Sequence, residues 1–203
     1  MQEKLSSDTN KLIKNIPCVI LSGGKSTRMG EDKALLPFNE FNTMIEYQYN
    51  KFSKIFQNVY ISSKTDKFNF KAKIIYDNNK EISSPMIALD SILDFIIENK
   101  VFIVSVDTPF IKYETIYKLI IASKGNNITI PIQNNHKHYL CGVYDKKVHK
   151  TIKYSLSKNI HQLKQLLKEI NNTYELNLNN KIEFININYK DEYKIYNYNY
   201  KLC

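Results

Sequence analysis

Residues 19–33, VILSGGKSTRMGEDK, decide how the fold of this chain is organised. The apolar start, Val19 to Leu21, is typical of a buried strand, and the loop after it holds three of the chain's five glycines. Glycine lets backbone N–H groups turn tightly and approach an anion closely. The side chains of Lys25, Arg28 and Lys33 add positive charge that suits phosphate. The stretch therefore predicts an anion-binding loop at the end of the first strand.

The spacing of glycines and charges in this loop excludes two common phosphate motifs. It matches neither the GxxxxGK[ST] loop nor the GxGxxG loop of dinucleotide-binding folds. The ordered set SGG, RMG and DK resembles the signature L-[AS]-G-G-x-x-x-R-M-G-x-D-K of nucleotidyltransferases, which activate a phosphorylated acceptor with a nucleoside triphosphate. The alternative is an ordinary glycine turn with solvated charges.

The composition is that of a globular protein, with 43% hydrophobic and 24% charged residues among 203. This length suits one sizeable core, so we divide the chain into a polar lead-in, residues 1–15, and a single domain, residues 16–203. Because no apolar run is long enough to span a bilayer, we expect the protein not to interact with a membrane. The three dispersed cysteines, Cys18, Cys141 and Cys203, favour a reducing cytoplasm over a disulfide framework or a zinc site.

The net charge of +9 is compatible with nucleic acid, an anionic membrane or an anionic small substrate as partner. The lysines are dispersed, and no dense basic block lies beside an aromatic platform. We therefore expect no nucleic-acid partner and interpret the charge as a surface that attracts a polyphosphate substrate. A basic nucleic-acid-binding protein remains a rival hypothesis, and a steep loss of affinity with salt would be its sign.

Strand-like and helix-like segments alternate along most of the chain. The pattern predicts strands at 17–21, 58–61, 72–76, 101–106, 127–131, 138–144 and 182–187, and helices at 43–56, 86–98, 112–123, 146–156 and 159–170. The tail after residue 188 is either a closing helix or partly loose. Such alternation predicts an α/β fold: a single doubly wound, mostly parallel sheet flanked by helices, Rossmann-like in its layers.

Polar side chains follow several of the predicted strands. Ligands of doubly wound sheets bind beyond the carboxyl ends of the strands, so the glycine loop, Ser62, Asp77 and Asp107 are expected at one edge. Asp107, between a buried strand and a Thr-Pro turn, could hold Mg²⁺ together with phosphates and water, or form an Asx turn or helix cap. Asp77 could recognise a purine or ribose, or simply form a turn.

The other candidate residues carry charge or amide groups. Lys33 would act as a point charge over the β- and γ-phosphates, where charge builds as pyrophosphate departs, and Arg28 as its planar partner. The alternative for either residue is a solvated side chain. His138 could line the acceptor side. Asn186 and Asn188 lie two residues apart on the predicted last strand, where they could bind a second substrate or the waters of a metal, or form only its polar face.

Taken together, five segments resemble the molybdenum cofactor guanylyltransferase family, the MobA type. In chain order they are LSGGKSTRMGEDK, Asp77 followed by SSPMIAL, SVDTPF, HYLCGVY and NINYKDEY. The resemblance spans about residues 16–193. The chain departs from the family pattern at three places: Ser84-Pro85-Met86 replaces Gly-Pro-Leu, Ser62-Ser63-Lys64 replaces polar asparagines, and Tyr189-Lys190 replaces Thr-Pro.

The resemblance implies that GTP and molybdenum-molybdopterin react to give a guanine dinucleotide cofactor and pyrophosphate. It implies catalytic roles for Lys33, Arg28 and Asp107, with Mg²⁺ on Asp107. It further implies nucleotide binding by Leu21, Ser22, Gly23, Gly24, Lys33, Asp77 and Asp107, and acceptor binding by Asn186, Asn188 and His138. Molybdoenzymes or their chaperones would be its protein partners.

Two alternatives stay open at this point. One is a nucleotidyltransferase of the same fold that uses CTP with a pterin, or that acts on a sugar or polyol phosphate. The other is a non-catalytic GTP-binding adaptor that docks on a molybdoenzyme or chaperone, which would bind GTP without releasing pyrophosphate.

Overall fold

A computed structural model describes residues 13–23, 30–79, 81–178 and 182–200, without the side chains of residues 198–200. Within these residues one mixed sheet contains eight strands. The strands are β1 (Cys18–Leu21), β2 (Val59–Ser63), β3 (Ile74–Tyr76), β4 (Lys100–Ser105), β5 (Ile128–Gln133), β6 (His136–Lys137), β7 (Cys141–Asp145) and β8 (Thr173–Asn177).

The first four strands form the parallel half of the sheet. Their spatial order is β3-β2-β1-β4, and each neighbouring pair is parallel. Strand β7 is antiparallel to both β4 and β5, while β8 runs parallel to β5. The predicted mostly parallel α/β class is thus confirmed, with an antiparallel strand inserted beside β4.

Helices flank this sheet. The α-helices are α1 (Met44–Ser53), α2 (Pro85–Phe95), α3 (Tyr113–Ala122), α4 (His149–Ser157), α5 (Leu163–Glu169) and α6 (Lys190–Tyr200), with 3-10 turns at Lys33–Leu35 and Lys146–Val148. Local chemistry sets several starts: Thr43 Oγ1 accepts from the Glu46 amide at 3.2 Å, and Ser84 Oγ accepts from the Met86 amide at 3.2 Å. Pro85 then occupies the first turn of α2, where a missing N–H is tolerated. Within the described part of the tail, Lys190–Tyr200 is helical.

Both faces of the central strands are buried. Along β1, Cys18 and Ile20 pack into one hydrophobic cluster, whereas Val19 and Leu21 pack into a second cluster. Residues of β4 alternate between the same two clusters. Helices on both faces explain why these strands are continuous apolar runs rather than alternating patterns.

The prediction of a last strand at 182–187 is wrong. This segment is irregular, and the strand beside β5 is instead β8, which the sequence pattern missed. Phe184 and Ile187 are buried at 5% and 0% exposure, but their spacing of three does not fit one face of a strand. The segment is held by individual hydrogen bonds: the Lys112 amide donates to Glu183 Oε2 at 3.0 Å, and the Ile187 amide donates to Asp107 O at 3.0 Å.

The division into a lead-in and one domain stays a prediction. Ile13, inside the predicted lead-in, is 2% exposed and packs in the core. Across the described ranges, every helix is too short or too polar to cross a bilayer.

Candidate active site

The ends of the parallel strands bring polar groups to one edge of the sheet. Backbone pairing continues past the strands: the Ser22 amide donates to Ser62 O at 3.0 Å, and the Asp77 amide donates to Ser63 O at 3.2 Å. The Val106 amide likewise donates to Leu21 O at 3.0 Å. These bonds fix the exits of β1, β2, β3 and β4 side by side. The edge predicted to bind ligand therefore exists in the structure as one continuous surface.

A cavity of about 400 Å³ opens at this edge. Its size lies in the range of about 300–1,000 Å³ that is usual for small-molecule sites. The cavity walls come from the ends of β1, β3 and β4, the start of α2 and the turn before β7. Its lining residues are Leu21, Gly23, Lys64, Asp77, Ser83, Ser84, Pro85, Ala88, Ser105 and Leu140.

Asp77 is the buried carboxylate of this cavity, with 9% exposure. It accepts a hydrogen bond from Ser62 Oγ at 3.2 Å. Burial raises the pKa of Asp77, while the Ser62 hydrogen bond and the charge of Lys64 act in the opposite direction. Ser22 Oγ, at the end of β1 on the other side of β2, is buried with no hydrogen-bond partner in the described part of the chain. Asp77 and Ser22 thus offer oxygen atoms that suit N–H or O–H groups of a ligand.

A second set of side chains, which we call the lysine cluster, consists of Lys33, Asp107 and Asn188. Lys33 Nζ donates to Asp107 Oδ2 at 2.6 Å and to Asn188 Oδ1 at 3.1 Å. Lys33 begins the 3-10 turn after the glycine loop, and Asp32 Oδ1 caps that turn by accepting from the Ala34 amide at 3.1 Å. The side chains of Lys33 and Asp107 are 16% and 17% exposed. The ammonium group of Lys33 is therefore largely shielded from solvent and lies against the turn that follows β4.

The turn after β4 is tied to the irregular segment 182–188. Thr108 Oγ1 donates to Asn186 Oδ1 at 3.0 Å and lies 3.4 Å from Asp107 Oδ1. Asn186 and Asn188 therefore do not share the face of a strand, as the sequence pattern predicted. They nevertheless reach the same turn, Asn186 through Thr108 and Asn188 through Lys33.

The oxygen atoms around Asp107 fit a divalent cation that is bound jointly with phosphates. Asp107 supplies one carboxylate, and the contact of its Oδ1 with Thr108 Oγ1 is long, at 3.4 Å. In the ranges that the structure describes, no group of three or more His, Cys, Asp or Glu residues could hold a metal alone. Mg²⁺ is commonly held by one or two carboxylates, with phosphates and water completing its octahedron. Asp107 is thus compatible with a metal that arrives with a nucleotide.

His138 contacts the irregular segment 182–188 through its ring. It stacks on Phe184 with ring centroids 4.4 Å apart and touches the ring of His136 edge-on. Burial, and secondarily His136, lowers the pKa of His138 to about 4, so the ring is neutral at pH 7. Its Nε2 atom is buried without a hydrogen-bond partner in the described residues. His138 can therefore contribute a neutral polar edge, but no charge, to a ligand near Asn186.

Leu21, Ser22 and Gly23 lie at the start of the loop as predicted, with Leu21 and Gly23 lining the cavity. Gly24 and Arg28, also predicted as site residues, fall outside the described residues, as does Lys25.

Lys67 is a site residue that the sequence pattern missed. Its Nζ donates to Ser22 O at 3.3 Å and forms an ion pair with the Asp32 carboxylate. Lys67 thus connects the residues that precede and follow the glycine loop. Nothing in the sequence distinguishes it from the many other lysines of polar loops, since its partners are 45 and 35 positions away.

Comparison with known proteins assigns this chain to a family. The family model of the MobA-like NTP transferase domain matches residues 18–173. A molybdenum cofactor guanylyltransferase of Campylobacter jejuni subsp. doylei is 40% identical over 184 residues, which cover 90% of this chain and 95% of that protein. The enzyme of the same name from Helicobacter pylori is 28% identical over 191 residues, covering 92% of this chain and 94% of that protein.

Solved structures show the same fold. The molybdopterin-guanine dinucleotide biosynthesis protein A of Archaeoglobus fulgidus superposes with a TM-score of 0.79 at 19% identity, covering 93% of this chain and 100% of that chain. The 2-C-methyl-D-erythritol 4-phosphate cytidylyltransferase of Thermus thermophilus gives a TM-score of 0.67 at 10% identity, covering 90% and 98%. The chain therefore belongs to the MobA-like NTP transferase family of nucleotidyltransferases, in its molybdenum cofactor guanylyltransferase branch.

Proposed function

We propose that this enzyme transfers GMP from GTP to the terminal phosphate of molybdenum-molybdopterin, giving the guanine dinucleotide cofactor and pyrophosphate. One observation carries the proposal: Lys33 Nζ bonds both Asp107 and Asn188 at the strand edge, beside a cavity of nucleotide-pocket size. The sequence kinship with molybdenum cofactor guanylyltransferases supports the choice of guanine and of the pterin acceptor.

The cavity would hold the nucleoside of GTP. Leu21 and Pro85 offer apolar walls for a base, and Gly23 leaves its backbone open to the ligand. The guanine N1–H and 2-amino groups are donors, so a buried carboxylate such as Asp77 is a suitable partner. Ser22 Oγ would gain a hydrogen bond on binding. The triphosphate would then run along the glycine loop, where Gly24 and Arg28 are proposed to contact it.

The reaction is an in-line displacement at the α-phosphorus of GTP. An oxygen of the acceptor phosphate forms the new P–O bond as the bond between the α-phosphorus and the bridging oxygen breaks, and pyrophosphate leaves with that electron pair. Because the acceptor phosphate is already ionised at neutral pH, no strong general base is required. Catalysis then consists of positioning and of charge stabilisation on the leaving pyrophosphate.

Lys33 supplies the cationic part of this stabilisation. Its ammonium group is held by Asp107 Oδ2 and Asn188 Oδ1 at the strand edge, where its positive charge would face the phosphates of the bound nucleotide. Asp107 would hold the divalent cation of the family, proposed to be Mg²⁺, whose charge neutralises the phosphates when it is bound.

The acceptor would lie on the side of segment 182–188. Asn186, Asn188 and His138 offer amide and imidazole groups there, and all three make contacts that link this segment to the rest of the site. Molybdoenzymes or their chaperones are proposed to receive the product. The described cysteines, Cys18 and Cys141, are free and buried, which supports the proposed cytoplasmic location.

The decisive experiment measures pyrophosphate release by the purified protein with molybdenum-loaded molybdopterin and Mg²⁺, in parallel reactions with GTP, CTP and ATP. We expect release with GTP that depends on the pterin. Asp94→Ala serves as a matched control for carboxylate variants, because Asp94 is 58% exposed and pairs only with the equally exposed Lys153 in the described structure.

Other outcomes would replace the proposal. Release with CTP but not GTP would make the enzyme a cytidylyltransferase, and release only with a sugar or polyol phosphate would change the acceptor. Binding of GTP without any release would leave a nucleotide-binding adaptor.

A further inference from the structure

The first turn of α6 carries a carboxylate that reaches back to the lysine cluster. Glu192 Oε2 accepts from the amide of Asn188 at 2.8 Å and from the amide of Tyr189 at 3.1 Å. The first amides of a helix have no partner within it, and a Glu near the start of the helix commonly satisfies them. Here one of the two bonded amides belongs to Asn188, a member of the lysine cluster.

The backbone of Asn188 is thus fixed on one side by Glu192, while its side chain contacts Lys33. The preceding residue, Ile187, is fixed as well, because its amide donates to Asp107 O at 3.0 Å. Asn188 is therefore fixed to two other parts of the site. Its own amide bonds Glu192 of α6, and the amide of its neighbour Ile187 bonds the turn after β4.

The remainder of α6 is bound to the segment that follows Lys33. Tyr193 donates its hydroxyl to Pro37 O, and the Asn39 amide donates to Asn197 Oδ1 at 2.8 Å. The ring of Tyr196 lies 5.4 Å from that of Phe110. Helix α6 and the segment that follows Lys33 therefore pack together, and the Glu192 carboxylate links this helix to the amide of Asn188.

We propose that Glu192 is a positioning residue: it fixes Asn188, and Asn188 together with Asp107 fixes the ammonium group of Lys33 where the triphosphate is processed. The effect on transfer rests on the proposed function. The effect on Lys33 itself does not, because it is a property of the free protein. A helix cap that merely stabilised α6 would leave Lys33 in place.

The first test reads the position of Lys33 directly, without catalysis. The free protein is acetylated under limiting acetic anhydride, and the rate at each lysine is measured by peptide mass spectrometry. We expect Glu192→Ala to raise the labelling rate of Lys33 about fivefold, the population change expected for loss of one helix-cap interaction. Glu192→Gln keeps an oxygen acceptor and should label Lys33 at nearly the wild-type rate.

Two internal controls separate positioning from general loosening. Asp191→Ala removes the adjacent, exposed carboxylate of the same helix turn, which has the same charge but not these two amide bonds, and should leave Lys33 labelling unchanged. Lys100 reports on the core, since its Nζ bonds Ser123 O at 2.9 Å and Asn126 O at 2.7 Å, and its labelling should not change in any variant.

The second test is a double-mutant cycle in the pyrophosphate assay. Glu192→Ala should lower kcat about fivefold with the KM for GTP nearly unchanged, and it should have no further effect in an Asn188→Ala background. Additive effects of the two changes, or equal acceleration of labelling at Lys33 and Lys100, would overturn the proposal. If transfer is absent in the wild type but the labelling result holds, the proposed function fails while the positioning role stands.

Discussion

The two carboxylates at the strand edge, Asp77 after β3 and Asp107 after β4, sit in different surroundings. Asp77 accepts from a neutral hydroxyl, Ser62 Oγ at 3.2 Å, and burial raises its pKa. Asp107 instead accepts from the ammonium of Lys33 at 2.6 Å. The first environment suits a hydrogen bond to a neutral donor, whereas the second contains the charges that a polyphosphate and a cation require.

This difference indicates a division of labour at one edge of the sheet. The Asp77 side would select the nucleotide and the Asp107 side would carry the chemistry. Changes at Asp77 should therefore appear mainly in KM and nucleotide preference, whereas changes in the lysine cluster should appear mainly in kcat.

The largest effect is expected from Asp107→Ala. Removing the carboxylate that is proposed to bind the metal should lower kcat for pyrophosphate release by roughly 1,000-fold or more. The melting temperature should stay close to that of Asp94→Ala, the exposed control. A transfer rate near the wild-type value in Asp107→Ala would exclude Asp107 as the metal ligand.

Lys33→Met should have the next largest effect, lowering kcat by about 100- to 1,000-fold, as is typical when one group that stabilises developing charge is removed. Lys33→Arg should recover part of this loss, because the charge remains but its geometry differs. The matched control is Lys153→Met, since Lys153 is 57% exposed in a surface pair. Steady-state kinetics with varied GTP would show whether the loss falls on kcat, and a pure KM effect would contradict the assignment.

Asp77→Asn should affect binding rather than chemistry. Loss of the charged acceptor should raise the KM for GTP by roughly 10- to 100-fold, the range for a hydrogen bond to a charged group, with a smaller change for ATP or CTP. Ser62→Ala removes the hydroxyl that donates to Asp77 and therefore tests the same hydrogen bond. An equal rise in KM for GTP, ATP and CTP would exclude a role of Asp77 in recognising the base.

The pH dependence provides a second test of Asp77. Because burial raises its pKa above the ordinary value of 3.8, the carboxylate loses its charge, and GTP binding weakens, as the pH falls through that raised value. For stability the sign is opposite: a carboxyl group with a raised folded-state pKa contributes most below its unfolded pKa, and the contribution is lost as pH rises through the folded pKa. We therefore expect Asp77→Asn to melt at the same temperature as the wild type at pH 7, or at a higher one. Melting curves from pH 4 to pH 8 measure this, and a lower melting temperature of the variant at pH 7 would contradict the raised pKa of Asp77.

Lys67→Met should have the smallest effect. The ion pair with Asp32 is partly exposed, and such pairs contribute about 0–1 kcal/mol, which corresponds to a rise of at most about fivefold in the KM for GTP. The matched control is Lys73→Met in the same β2–β3 connection, where Lys73 Nζ bonds the Asn58 side chain at 2.9 Å and lies 5.6 Å from the centroid of the Tyr60 ring. If the two variants behave alike, Lys67 has no special role at the glycine loop.

The parallel half of the fold was predictable because its signals are local. The apolar runs of β1 and β4 end at polar residues, and parallel strands place those ends together. Asp107 was predicted for this reason and Lys33 from the motif of the glycine loop, and the structure joins them in an ion pair. The predicted site roles themselves await the measurements above.

The C-terminal part was harder to predict. Segment 182–188 has apolar residues spaced like a weak strand, but its hydrogen bonds reach residues more than 70 positions away. The Ile187 amide bonds Asp107 O, and the Glu183 carboxylate bonds the Lys112 amide. Strand β8 has only exposed or partly exposed residues, so hydrophobic periodicity gives little indication of it. The pairing of Lys67 depends on tertiary approach, which neither spacing nor composition encodes. Glu192, in contrast, bonds amides only three and four positions away.

The sequence distances within the lysine cluster imply an order of assembly during synthesis. Lys33 lies 74 positions from Asp107 and 155 positions from Asn188. Every residue that lines the described cavity, in contrast, precedes residue 141. A chain that emerges from the ribosome N-terminus first can therefore form the nucleotide cavity well before Asn188 is available to Lys33. Nascent chains would acquire the capacity to bind nucleotide before they acquire the complete transfer site.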